Sequence, residues 1–438
     1  MTIMRILTHD TTGTTDGLIA AHASTLSRYR AVLRTASEDH TYATPEAALA
    51  APRDEESVRL AHAIRSEFGG DALKTMLLVG IGGSDLGTRA VYEAVYGGRA
   101  GRMASAPVAL LPFDTIEPEA LDRVPDILKS HEHANEVILI VISKSGSTTE
   151  TIMNANVLFG HMTERFGKEA AAARTLFIGD KDIAIAESLG ASGIRHIPMP
   201  KRVGGRYSVF TPVGLVPLAL LGVDVDALCE GAGKAIAAST PEEGHGPAST
   251  MASLLFEAYL TGLTMQELFM FHPELETLGK WYRQLLAESV GKQRHDSTKV
   301  GIMPTVAIGS TDLHSLGQLV FGGPRNRFTT FVAAPSSFKH GHAYRSDSPF
   351  TLSMLEGHTA GDAMHAIYKG VRAAYRNHSL PFIRIELDAI DAREVGAFMG
   401  LHMASVMYLA ELFNVNAFDQ PAVETYKRET RRILGGGA

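Results

Sequence analysis

The sequence predicts an α/β protein built from two doubly wound parallel sheets with extra helices, and three observations carry that expectation. From about residue 55, short β-rich runs alternate with helical segments. A second alternation begins near residue 264. Two segments also echo each other, Val79-Gly80-Ile81-Gly82-Gly83-Ser84-Asp85-Leu86-Gly87 and Ala307-Ile308-Gly309-Ser310-Thr311-Asp312-Leu313. Both read as strand, glycine, hydroxyl residue, Asp-Leu and helix, the trace a duplicated domain would leave.

Residues 1–54, rich in Thr and Ala, are expected to form helices on the outside. In 55–223 the strand candidates are 76–79, 108–111, 137–142 and 175–178. In 224–415 they are 264–271, 305–308, 328–332 and 382–385. Runs that are apolar throughout and separated by helices indicate parallel sheets covered on both faces. Helical stretches are expected at 275–290, 361–378, 391–412 and 420–434, the last within a C-terminal segment, 416–438. No low-complexity linker separates the halves, so they are expected to pack as one body.

Composition narrows the function. The chain has 438 residues, too many for one ordinary core, with 45% hydrophobic and 20% charged residues. A formal net charge of −7 argues against nucleic acid, which needs a basic face, but permits a small anionic substrate where a few cations converge. The single cysteine, Cys229, fits a reducing compartment and reads as a buried thiol. No signal-peptide pattern opens the chain, and the longest apolar runs fall short of the roughly 20 residues that span a bilayer. The expectation is a cytoplasmic protein with no membrane or nucleic-acid partner.

The chemistry concentrates in a few places. Gly80-Ile81-Gly82-Gly83-Ser84 sits where a strand should turn into a helix, a place that offers backbone N–H groups to an anion. It lacks the G-x-G-x-x-G dinucleotide spacing, and local reading leaves ligand binding and tight-turn sterics equally open. Ser143-Lys144-Ser145-Gly146-Ser147-Thr148-Thr149-Glu150 is sharper. Five of its eight residues carry hydroxyls at the carboxyl edge of a strand, whereas an N-cap needs one; phosphate binding is the favoured reading. In Gly204-Gly205-Arg206-Tyr207-Ser208 an inward guanidinium and a solvated one are equally open. Gln284, Glu288 and Lys292 fall at i, i+4 and i+8 of one expected helix, and their local reading is surface decoration. The pairs His131/His133 and His340/His342 have no third ligand at recognisable spacing and read as exposed, so no metal is expected.

Six segments together resemble the glucose-6-phosphate isomerase family: VGIGGSDLG (79–87), SKSGSTTET (143–151), VGGRYS (203–208), QLLAESVGK (284–292), GSTDLHSLGQ (309–318) and FDQPAVETYK (418–427). The Gly-Gly-Arg-Tyr-Ser loop and the Gln–Val-Glu–Lys tail are the most specific of them. The resemblance implies two sugar-isomerase domains, no cofactor, a sugar phosphate as partner, and a homodimer with a shared active site. It implies Ser84, Ser143, Ser145 and Thr148 as phosphate ligands, with backbone help from Gly83 and Lys144. It makes Glu288 the base between C1 and C2, Arg206 the cation at the enediolate, and His314 and Lys427 the ring-opening pair, the histidine coming from the partner subunit. Gln284 and Gln420 would position hydroxyls. Ala422 stands where the family usually carries glycine. A non-catalytic sugar-phosphate-binding regulator and a dual glucose/mannose-6-phosphate isomerase are the alternatives. The regulator would not need Glu288, Arg206, His314 and Lys427 together, and the dual enzyme's family lacks the tail.

Overall fold

A computed structural model describes residues 4–7, 15–97, 106–339 and 341–435. Strand β1 (Arg5–Leu7) lies near the N-terminus. The first parallel sheet comprises β2 (Thr75–Val79), β3 (Ala109–Phe113), β4 (Val137–Ile142), β5 (Thr175–Gly179) and β6 (Arg195–Pro198). Then follow β7 (Met265–Met270), a small antiparallel hairpin of β8 (Lys292–Gln293) and β9 (Lys299–Val300), β10 (Met303–Ile308), β11 (Arg327–Ala333) and β12 (Phe382–Glu386). The α/β class with parallel sheets stands as read.

Along the first sheet the order is β3-β2-β4-β5-β6, all parallel. Every residue of β2, β4 and β5 is buried, because helices cover both faces. Counted within the unit, the order is second, first, third, fourth, fifth. Such a sheet reverses its winding between the first and third strands, here β2 and β4, and opens a crevice at their carboxyl ends. The second sheet runs β10-β7-β11-β12, again second, first, third, fourth, with β1 added antiparallel at the edge.

This common order supports a duplication, but not through the two echoing segments. One follows β2, the first strand of its unit, and the other follows β10, the second of its own. The topological counterpart of β2 is β7.

Besides the small β8–β9 hairpin, two strands of the large sheets escape the sequence reading. β1 is three residues long and completes the edge of the second sheet, so residues 1–54 are not wholly helical. β6 is an edge strand with little continuous apolar character. The helix Ala392–Phe413 is long and apolar enough to cross a membrane, yet 89% of its most apolar window is buried inside the protein. It packs against the helices Val225–Ser239 and Pro247–Leu260. Gly231, Gly396 and Gly400 let these backbones approach closely, and Cys229 is buried in the same core.

Candidate active site

The loops after β2 and β4 flank the crevice where the first sheet reverses. After β2, residues Gly82–Ser84 make one tight turn before the helix Leu86–Tyr96. A Cβ on Gly83 would lie 2.1 Å from the carbonyl carbon of Gly205 and 2.4 Å from the nitrogen of Arg206. Gly83 is glycine because the Arg206 loop crosses it backbone to backbone. Ser208 Oγ ties the same crossing by donating to the Gly83 carbonyl at 3.3 Å. Gly82 has a positive φ of 60°, and a Cβ there would stand 2.9 Å from Gln284 Nε2. The steric reading of the glycines is therefore correct, and its effect is to bring three distant segments to one point.

After β4, Ser143 Oγ bonds Thr148 Oγ1 at 3.3 Å and accepts the Gly146 N–H at 3.2 Å. Ser145 and Ser147 hydroxyls lie 2.9 Å apart, and Ser145 Oγ accepts the Ser147 N–H. Thr148 precedes the helix Thr149–Phe166 but does not use its side chain to cap it. The hydroxyl cluster thus surrounds a helix start whose amides are not side-chain capped at Thr148. Lys144 reaches away, donating to the Val203 carbonyl at 3.3 Å, and burial lowers its pKa. Ser84 is partly exposed at the neighbouring turn.

Arg206 is not solvated. It is 3% exposed. Its Nε donates to Ser289 Oγ at 2.9 Å and Nη1 to Glu288 Oε2 at 3.1 Å, while Nη2 donates to the carbonyls of Ala417 and Asp419. Tyr207 adds a hydroxyl contact to Ser289 at 3.0 Å and a ring contact to Phe418. The second Glu288 oxygen accepts Gln284 Nε2 at 2.9 Å. Glu288 is therefore held by a guanidinium and an amide, with 28% of its side chain exposed. Gln284 Oε1 is buried without a hydrogen-bond partner among the described residues.

Three local expectations change. Glu288 is not surface decoration, since its cation lies 82 positions away in sequence. The helix runs Glu276–Val290, so Lys292 falls beyond it in β8, and its Nζ donates to Asp419 Oδ1 at 2.6 Å. His131 is buried rather than exposed: Nδ1 faces the Ile127 carbonyl at 3.0 Å and Nε2 meets Thr75 Oγ1 at 2.9 Å. His133 and His342 are exposed, and His340 lies outside the described residues.

The remaining expected site residues stand apart from this cluster. Gln420 is exposed at the start of the turn Pro421–Val423. Lys427, on the helix Glu424–Leu434, pairs with Glu424 at 3.1 Å. His314 is exposed on the helix Thr311–Gly322. Ala422 is not among the residues with positive φ, so its methyl group meets no backbone strain. Sequence reasoning passed over Ser289 and Asp419 as parts of the site; the only available sign was their adjacency to Glu288 and Gln420. Among the described residues, no group of three His, Cys, Asp or Glu is placed to hold a metal ion.

Comparison with known proteins gives a consistent result. Residues 56–435 match the family model described as phosphoglucose isomerase. A glucose-6-phosphate isomerase of Symbiobacterium thermophilum is 34% identical over 390 residues, covering 87% of this chain and 84% of that protein. One from Shouchella clausii is 33% identical over 367 residues, 82% of this chain and 79% of the relative. Among solved structures, a hypothetical protein of Thermus thermophilus superposes with a TM-score of 0.85 at 26% identity, covering 99% of this chain and all of that one. A glucose-6-phosphate isomerase of Chlamydia trachomatis shares the fold with a TM-score of 0.75 at 18% identity, over 96% of this chain and 86% of its own.

Proposed function

The chain belongs to the phosphoglucose isomerase family, and from that premise we propose how its residues carry the reaction. It is an aldose–ketose isomerase that interconverts glucose 6-phosphate and fructose 6-phosphate, a step of glycolysis and gluconeogenesis. The observation that carries the assignment of roles is the Arg206–Glu288–Gln284 cluster beside the Ser/Thr loop at the first sheet's crevice.

The substrate phosphate sits among Ser84, Ser143, Ser145 and Thr148, with N–H groups from Gly83 and Lys144. Binding there is remote from the reacting carbons, so it positions them. Substrate arrives mostly as a closed ring, which Lys427 and the partner subunit's His314 open. Glu288 then takes the proton from C2 of the aldose and returns it to C1, giving the ketose. Arg206, fixed by four acceptors, stabilises the enediolate oxygen without reorganising. Gln284 Oε1 and Gln420 receive substrate hydroxyls.

A shared active site in a cytoplasmic homodimer is part of this reading. It is supported by His314 being exposed and making no bond to the Arg206–Glu288 cluster. The division into 1–54, 55–223, 224–415 and 416–438 belongs to it as well, supported by one parallel sheet in each of the two central parts. A coupled assay of fructose 6-phosphate against mannose 6-phosphate tests the function. Turnover of the first with none of the second is expected, and inactivity on both would overturn the reading.

A further inference from the structure

The carbonyls of Ala417 and Asp419 that hold Arg206 Nη2 lie in the passage between the helix Ala392–Phe413 and the turn Pro421–Val423. That passage forms no strand or helix of its own, so its path is set by what grips it. The hairpin of β8 and β9 grips it at two points. Arg294 Nε, just after β8, donates to the Phe413 carbonyl at 2.6 Å, where the long helix ends. Lys292 Nζ donates to Asp419 Oδ1 at 2.6 Å and also to the Asp419 carbonyl.

The Asp419 carbonyl thus accepts from two cations, Lys292 and Arg206, the second at 3.3 Å. A carbonyl oxygen has two lone pairs, so both bonds can form together. The Lys292 side chain is 8% exposed, against 50% for Asp419. A surface lysine normally keeps its ammonium in water. This one lies under the 417–420 passage, and its bonds there are charge-assisted, the strong kind.

Gln420 follows Asp419 directly and receives a substrate hydroxyl in the isomerase reading. The same lysine therefore stands behind two groups of the site, the guanidinium of Arg206 and the amide of Gln420. Neither phosphate-loop segment is tied to it: Ser143, Ser145 and Thr148 bond within their own loop, and Ser84 lies at the turn after β2.

We propose that Lys292 is a positioning residue for the isomerisation, acting through Asp419 to hold Arg206 and Gln420 at the reacting carbons. It touches no reacting atom itself, and the role rests on the isomerase reading.

The test is steady-state turnover of fructose 6-phosphate by full-length variants, with inorganic phosphate as a competing inhibitor. Lys292→Met keeps the length and packing of the side chain and removes its donors. It should lower kcat at least about tenfold, while KM and inhibition by phosphate stay within about threefold of wild type. Lys292→Arg, which can still donate to both acceptors, should recover most of the lost kcat. Asp419→Ala should also lower kcat. The double variant Lys292→Met/Asp419→Ala should be no slower than Lys292→Met, because that substitution already removes both bonds. A Lys292→Met kcat within about threefold of wild type overturns the proposal, as do losses that multiply in the double variant or a loss carried by KM alone. Should Lys292→Met fail to fold, Asp419→Ala carries the test, since its half-exposed side chain can be removed at the surface, and an unchanged kcat there overturns the role. Wild-type protein inactive on fructose 6-phosphate would strike the isomerase reading and this role with it. An active wild type with indifferent variants strikes the role alone.

Discussion

Glu288→Gln isolates the proposed base from everything that surrounds it. The amide matches the carboxylate in shape and still offers an oxygen to Arg206 Nη1, now 3.1 Å from Glu288 Oε2. Its nitrogen would face Gln284 Nε2, but that neighbour can turn its amide and present Oε1, which has no partner at present. The bond to Arg206 then keeps only the guanidinium charge and the bond to Gln284 becomes a neutral one, a loss of about 1–2 kcal/mol in all. For a chain of this length the melting temperature should fall by only about 1–3 °C. Turnover should fall far more, by about 10²–10⁴, because an amide accepts no proton; that is about 3–5 kcal/mol of barrier. KM should hardly move, since the Ser143–Thr148 loop comes from another segment. The assays are thermal unfolding, coupled turnover of fructose 6-phosphate, and the same reaction in deuterated water. In wild type, solvent label should appear at C2 of glucose 6-phosphate, though incompletely, as a sheltered carboxyl can return the proton it took. Turnover of the variant within tenfold of wild type, or a wild-type product free of label, would refute the reasoning.

Four further outcomes are expected. Ser145→Ala/Thr148→Ala should raise KM steeply, each hydroxyl contributing about 1.5–3 kcal/mol to an anion; unchanged kinetics would place the phosphate elsewhere. His314→Ala and Glu288→Gln subunits, each inactive alone, should regain activity when mixed and refolded together, and no recovery would deny a shared site. Gly83→Ala should cost at least tenfold in kcat, because its methyl carbon would collide with the Gly205–Arg206 backbone; a fully active variant would mean that crossing is not needed. Asp85, 1% exposed, has its pKa pushed up to about 7, mainly by burial, with Asp114 adding to it and Arg89 opposing. Its folded pKa exceeds the unfolded one of about 4, so the folded state binds the extra proton and this contribution to stability falls as pH rises from about 4 to 7. Unfolding followed across that range should show a steeper loss in wild type than in Asp85→Asn, and parallel curves would contradict the assignment.

The strands that sequence made legible are the buried ones. Val137–Ile142 is six apolar residues, all buried, and a parallel sheet covered on both faces requires such a run. Arg5–Leu7 and Arg195–Pro198 were missed because edge strands are short and half polar, and their pairing is decided by the sheet they join. The Ser/Thr loop stood out locally, since five hydroxyls exceed what capping uses. Glu288 did not. Its i+4 neighbour Lys292 suggested an ordinary surface pair, whereas the fold ends that helix at Val290, sends Lys292 to Asp419 and supplies Arg206 from 82 positions away. Periodicity records which face a residue occupies, but not which distant chain will cover it. The echo after β2 and β10 misled for a related reason: strand-to-helix turns resemble one another wherever a parallel sheet needs them, whether or not the strands correspond.

The guanidinium of Arg206 grips Glu288 with one nitrogen and the carbonyls of Ala417 and Asp419 with another, while Lys292 holds the Asp419 carboxylate. Residues 417–419 lie far along the chain from Arg206, yet their carbonyls fix its guanidinium. Without them two donors of a buried cation would lack their acceptors, and Glu288 would face a guanidinium free to turn away. The position of Arg206 beside Glu288 therefore depends on a segment that belongs to neither sheet.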